Sequence, residues 1–160
     1  MKTDPALRRW LLWQLRGGHA HVPFEKAVDG LPPRLRGARP RGLPYSPWML
    51  LEHLRIAQWD IVEYCLNPAH VSPPWPEGYW PKDPAPPTAG AWTASVAAFQ
   101  RDLRRMERLV ANRTIDLLAP IPHAKRHTYL RELLILIDHN AYHIGQLIVV
   151  RRVLGAWKDG

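Results

Sequence analysis

Two histidines four residues apart, His139 and His143, stand in the stretch Asp138-His139-Asn140-Ala141-Tyr142-His143-Ile144-Gly145-Gln146-Leu147, whose other residues are mostly apolar. On a helix, residues i and i+4 share a face, so both imidazoles can converge on one point. Such a pair can bind a borderline-soft divalent metal when a third ligand arrives from elsewhere in the chain. His53 is the candidate for that third ligand. Spacing alone proves little: with 8 histidines in 160 residues, about 0.4 such pairs arise by chance. A second pair, His123 and His127, follows Pro120 and Pro122 in a polar, basic run and is read as loop.

The elements that must carry these side chains are helical. Ser46-Pro47 combines a capping side chain with a favoured first-turn proline, and Asn67-Pro68 ends the segment that it starts. Within that helix Leu50, His53, Leu54, Ala57, Ile61 and Tyr64 share one face. Glu52, Arg55, Gln58 or Trp59, and Glu63 fall on the opposite side, so His53 points inward. An inward histidine needs partners for both ring nitrogens, and a metal is one efficient answer. The last helix is capped by Thr128, runs to Leu154 and stops at Gly155. Its apolar stretches 133–137 and 144–150 predict the most buried element of the fold, and Gly145 is a place for close approach of another helix.

Two further helices complete the pattern. Asp4-Pro5 opens the first, with Leu7, Trp10, Leu11 and Leu15 at helical spacing, and Gly17-Gly18 breaks it. A short piece follows near 23–28; His19, next to the break, is a capping or surface residue, and His21 has no assigned role. Thr88 or Thr93 caps a helix reaching about Asn112, with Val96, Phe99, Leu103, Met106, Leu109 and Val110 inward. Its arginines are outward, and Asp102 and Glu107 are available for pairing on that wet side. Between the second and third bundle helices lies the Pro/Trp-rich stretch 67–90. A loop that long is usually functional or disordered. Aromatics among rigid prolines predict an ordered flap, and such a crossover permits successive helices to run parallel.

Composition narrows the functional classes. A chain of this length, 46% hydrophobic, is expected to be one domain spanning 1–160. The single cysteine, Cys65, excludes an internal disulfide and is read as a packed thiol. The formal charge of +8 would suit an acidic partner, but the basic residues are scattered and no recognition motif accompanies them, so nucleic acid is not the expected partner. No uninterrupted apolar run reaches a membrane span of ~18 residues; the default expectation is a cytoplasmic protein. Eight tryptophans against two phenylalanines, with the long flap, make a homodimer a candidate assembly.

The pattern resembles the DinB-like family of damage-inducible, metal-binding four-helix proteins. The resemblance rests on Pro47-Trp48-Met49-Leu50-Leu51-Glu52-His53 and on the late stretch 138–146, and residues 75–81 are similar to the crossover of one subgroup. It implies an all-α, four-helix bundle of up-down-down-up type. It also implies a divalent metal, commonly nickel or zinc, held by His53, His139 and His143. Some relatives are transferases or isomerases that use a low-molecular-weight thiol, which implies a small-molecule substrate and a thiol cosubstrate. Tyr142 and Gln146, three residues from a ligand each, are candidates for hydrogen bonds to the ligands or contacts with substrate. Glu52 and Asp138 adjoin ligands, but neighbouring helix positions point about 100° apart, so neither is assigned as a base. The leading expectation is a metal-dependent thiol transferase or hydrolase. The alternatives are a non-catalytic metal- or small-molecule-binding stress protein, a DNA-associated stress protein, and a structural bundle with polar core histidines.

Overall fold

The computed structural model describes residues 3–124 and 126–158. Five helices follow in order: α1 (Pro5–Arg16), α2 (Phe24–Val28), α3 (Pro47–Leu66), α4 (Ala91–Ala111) and α5 (Tyr129–Val153), with 3-10 turns at Pro33–Leu35 and Glu77–Tyr79. The described residues form no strand; the fold is all-α, as expected.

Capping residues set the starts of three long helices. The Asp4 carboxylate accepts the N–H groups of Ala6 and Leu7, the Ser46 hydroxyl that of Met49, and the Thr128 hydroxyl that of Arg131. The expectation of a threonine cap on α4 is corrected. Gly90 precedes that helix without a side-chain cap, and the Thr88 and Gly90 carbonyls accept the Ala91 and Ala94 N–H groups. Backbone carbonyls meet those amides, and Thr93 lies within the helix.

Side-chain contacts give the sense of the central helices. Glu52 meets Ser95, Gln58 meets the Phe99 carbonyl and Glu63 meets Arg105. Both sets of numbers rise together, so α3 and α4 run parallel. Against α5 the order reverses: His53 lies by His143, Gln58 by Asn140, and Tyr64 by His127 just before α5 begins. The 67–90 crossover makes the parallel pair geometrically attainable. Arg8, buried on α1, donates to the carbonyls of Val110 and Ile115 and ties α1 to the end of α4.

Two apolar clusters fill the interior, one around Leu50, Leu54, Phe99 and Leu147, the other around Val62, Met106, Leu117 and Leu133. The most buried long helix is α3, with 11 of 20 residues buried, and not α5, with 9 of 25. One face of α5 is uncovered, leaving Leu134, Ile135, Tyr142, Val149 and Val153 exposed. Gly145 is on that face, and a Cβ there would meet nothing within 4 Å, so it admits no neighbouring helix. By length and mean hydropathy (1.4) α5 also satisfies the requirements of a membrane span, but its inner face carries Glu132 and His143 into the bundle.

The polar residues assigned to the wet sides of α3 and α4 also need correction. Glu52, Gln58 and Asp102 are buried. The Glu52 carboxylate accepts from Arg55 Nε and Nη2, each at 2.8 Å, and from the Ser95 hydroxyl; burial pushes its pKa up, and these bonds outweigh it and hold the pKa down. Asp102 accepts from Arg101 and Arg105, and Arg105 reaches on to Glu63 at 2.6 Å. Each buried carboxylate thus has the cationic partner that makes burial tolerable. α3 lies between two other helices, so its polar flank is enclosed along with its apolar one.

The crossover is ordered by specific contacts. Asp60 accepts the Tyr79 hydroxyl and pairs with His70, both at 2.6 Å. Gly78 lies so close to Pro73 and Pro74 that a Cβ would stand 2.6 Å and 2.9 Å from their ring carbons. At the other end of the bundle the His123 ring bonds the Tyr64 carbonyl and the His127 ring the Tyr64 hydroxyl, each at 2.8 Å. That pair fastens the 112–128 loop to α3.

Candidate metal centre

His53 comes from the second turn of α3, and His139 and His143 from successive turns of α5. The antiparallel register of those helices brings them together. The Nε2 atom of His53 lies 3.1 Å from that of His143 and 3.0 Å from that of His139. The three residues offer ligand atoms that all fall within 4.8 Å of one another. His53 and His143 are buried, and His139 is half-buried.

The crossover sets the orientation of His53. Its Nδ1–H donates to the Tyr79 carbonyl at 3.0 Å. Its ring lies flat against Trp80, with centroids 3.9 Å apart and planes 2° from parallel, and Trp80 stacks in turn on Tyr45. A carbonyl can only accept, so Nδ1 must carry the proton and Nε2 presents its lone pair. His143 is held similarly, its Nδ1–H donating to Gln146 Oε1 at 2.7 Å. With the Gln146 oxygen on Nδ1, His143 turns a bare Nε2 towards that of His53 across 3.1 Å, a repulsive arrangement that a shared cation turns into an attractive one.

Two of the three separations suit a divalent ion. Two imidazole nitrogens about 2.05 Å from one ion, at angles of about 90–110°, stand about 2.9–3.4 Å apart; the separations of His53 from His143 and from His139 fall in that range, and the whole set lies within 4.8 Å. The protonation state suits it too. Burial pushes the His53 pKa down to about 4, with the Tyr79 carbonyl opposing and His143 adding to the push. Burial, then the neighbouring His143 and His53, takes His139 to about 3 against the Asn140 amide. Burial also lowers His143, with Gln146 opposing. Neutral imidazoles are the form that coordinates metal.

Of the two further candidates from the sequence, Gln146 hydrogen-bonds His143. Tyr142 packs edge-on against the His143 ring, centroids 4.9 Å apart, and is 63% exposed. The Glu52 carboxylate is committed to Arg55 and Ser95, and Asp138 is on the exposed side of α5; neither faces the cluster. Cys65 is buried, and burial pushes its thiol up to about 12, as a packed thiol should behave. His19 stacks on Trp13 and its Nε2 is 2.9 Å from the Trp13 carbonyl, while the Nδ1 of His21 lies as near the Val22 carbonyl. Sequence reasoning missed Tyr79 and Trp80 as supports of His53. The aromatic flap was visible, but its register on α3 was not.

No curated protein and no solved structure matches the chain. The family model of the DinB superfamily matches residues 21–147, a span that contains all three histidines and the crossover that orients one of them. Well over half of the 160 residues are matched, and the chain belongs to the DinB superfamily.

Proposed function

We propose that His53, His139 and His143 hold a divalent ion, nickel or zinc, and that the protein uses it on a small-molecule substrate in a thiol-dependent transfer or a hydrolysis. The observation that carries this reading is the convergence of three imidazoles, with Nε2 of His53 3.1 Å from that of His143 and 3.0 Å from that of His139, and with the Nδ1 atoms of His53 and His143 turned to Tyr79 and Gln146. When bound, such an ion supplies a Lewis acid that makes a thiol or a water nucleophilic near neutral pH. The chain's own part is to orient and to exclude water. The Tyr79 carbonyl and Gln146 fix the tautomers of their histidines, Trp80 covers one face of His53, and the exposed Tyr142 marks the side from which a substrate would arrive.

The basic charge gives less support to a nucleic-acid partner than the formal total suggests. Arg8 and Arg151 are buried against carbonyls, and Arg16, Arg55, Arg105 and Arg131 sit in ion pairs with carboxylates. Elemental analysis of gently purified protein should find nickel or zinc stoichiometric with the chain. His139→Ala should lose the ion and, with it, turnover in a panel of thiols and electrophiles, while far-ultraviolet circular dichroism is kept. A folded wild-type protein that takes up neither ion sinks the reading. Ion uptake without turnover in any panel leaves a metal-binding protein and removes the enzymatic half.

A further inference from the structure

Two of the three histidines have a hydrogen-bond acceptor behind them; the third has none. His139 Nδ1 is buried and unpartnered, and so is Asn140 Oδ1 on the next residue. A buried polar atom without a partner calls for an explanation, and here the two atoms are complementary. Once Nε2 of His139 faces an ion, its Nδ1 must carry a proton, and Oδ1 is an acceptor.

The orientation of the Asn140 amide follows from its surroundings. Gln58, fully buried on α3, places its Nε2 2.6 Å from the Phe99 carbonyl. A carbonyl cannot donate, so the Gln58 amide must turn its NH2 towards α4 and its Oε1 towards α5. Oε1 then accepts the Asn140 Nδ2–H at 3.0 Å, which leaves Oδ1 as the free end of Asn140. The direction of both amides is thus dictated from the α4 backbone outwards, removing the usual ambiguity between amide O and N.

The geometry points to Asn140 as the positioning residue of His139, its Oδ1 accepting the Nδ1–H when Nε2 is turned to the ion, with Gln58 anchoring Asn140 from behind. The three imidazoles would then be oriented by acceptors of separate origin: a crossover carbonyl for His53, Gln146 for His143 and Asn140 for His139. This inference rests on the metal reading above.

The test is zinc affinity, by chelator competition, combined with proton-detected NMR of the zinc-loaded protein carrying ¹⁵N-labelled histidine. Asn140→Ala should weaken zinc binding about 10–100-fold, the usual effect of losing a ligand's hydrogen-bond partner. It should also speed exchange of the His139 Nδ1–H while leaving the His53 and His143 signals in place. Asn140→Asp keeps an acceptor and should restore both, even if it loses stability at Gln58. If Asn140→Ala does not fold, Gln58→Met leaves the acceptor but frees its anchor, and should broaden the same His139 signal. An Asn140→Ala protein that binds zinc within about twofold of wild type, well short of that loss, with a protected His139 Nδ1–H, overturns the assignment and leaves the metal reading intact. Failure of the wild type to take up zinc or nickel overturns both.

Discussion

Replacing Trp80 with alanine separates the crossover's contribution to the fold from its contribution to the site. Trp80 lies between two rings, 3.9 Å from His53 and 4.5 Å from Tyr45, both nearly parallel to it. Aromatic pairs contribute about 0.5–1.5 kcal/mol each beyond area burial, so the two stacks together are worth about 1–3 kcal/mol. Full truncation of a core tryptophan costs about 3–5 kcal/mol; Trp80 is only half-buried, which places the loss near the lower end, about 3 kcal/mol. In a domain of this size each kcal/mol moves the melting temperature by about 2–4 °C, giving a drop of about 6–12 °C in a calorimetric scan of metal-free protein. The His53 ring would keep its bond to the Tyr79 carbonyl but lose the wall that fixes its plane. Zinc affinity should therefore fall about tenfold, at the modest end of indirect effects on ligands. Trp80→Phe retains a stacking surface and should recover most of the affinity. A Trp80→Ala protein that melts earlier yet binds zinc as tightly as wild type would refute the claim that the flap orients the ligand.

The lowered histidine pKa values predict an unusual pH profile. With His53 near 4 and His139 near 3, protons should begin to compete for these two ligands only below about pH 5, whereas ordinary imidazoles would lose metal from about pH 7 downward; metal affinity measured from pH 7.5 to 4.5 checks this. The sign for the metal-free fold follows from the same shifts. These groups bind protons less readily folded than unfolded, so their contribution is full above about pH 6.5 and is lost as pH falls towards the folded values. Thermal stability should decline over that window, and less steeply in His53→Gln; equal slopes would count against the assignment. Gly78→Ala would force a methyl group to within 2.6 Å of the Pro73 ring, which is too rigid to yield. Limited proteolysis should then cut within 67–90 faster than in wild type, and unchanged protection would show that the crossover is not held as described.

Much of the local structure was legible in the sequence because it is encoded locally. Asp4-Pro5, Ser46-Pro47 and Thr128 each cap a helix where the residue types require it, and the i, i+4 spacing of His139 and His143 places both on one face of α5. The failures share a cause. Periodicity assigns Glu52, Gln58 and Asp102 to water because a single helix has an apolar stripe and a polar remainder. α3 and α4 enclose part of that remainder between them, and hydrogen bonds and ion pairs inside the bundle replace the water. On α5 the departure runs the other way: its apolar outer face has no neighbour among the described elements.

What the chain alone determined was a supply of ligands: two imidazoles fixed to one helical face, and a third directed inward from another helix. Tertiary structure decided that they meet. The distance between His53 and the α5 pair depends on how two helices are set against each other, and no spacing within either helix contains that register. The same holds for Tyr79, which reaches His53 from 26 positions away, for Trp80 beside it, and for Gln58, which meets Asn140 across 82 positions only because packing puts them there. Periodicity specifies the direction of a side chain about its own helix axis; the partner it finds is selected by the burial of the whole core.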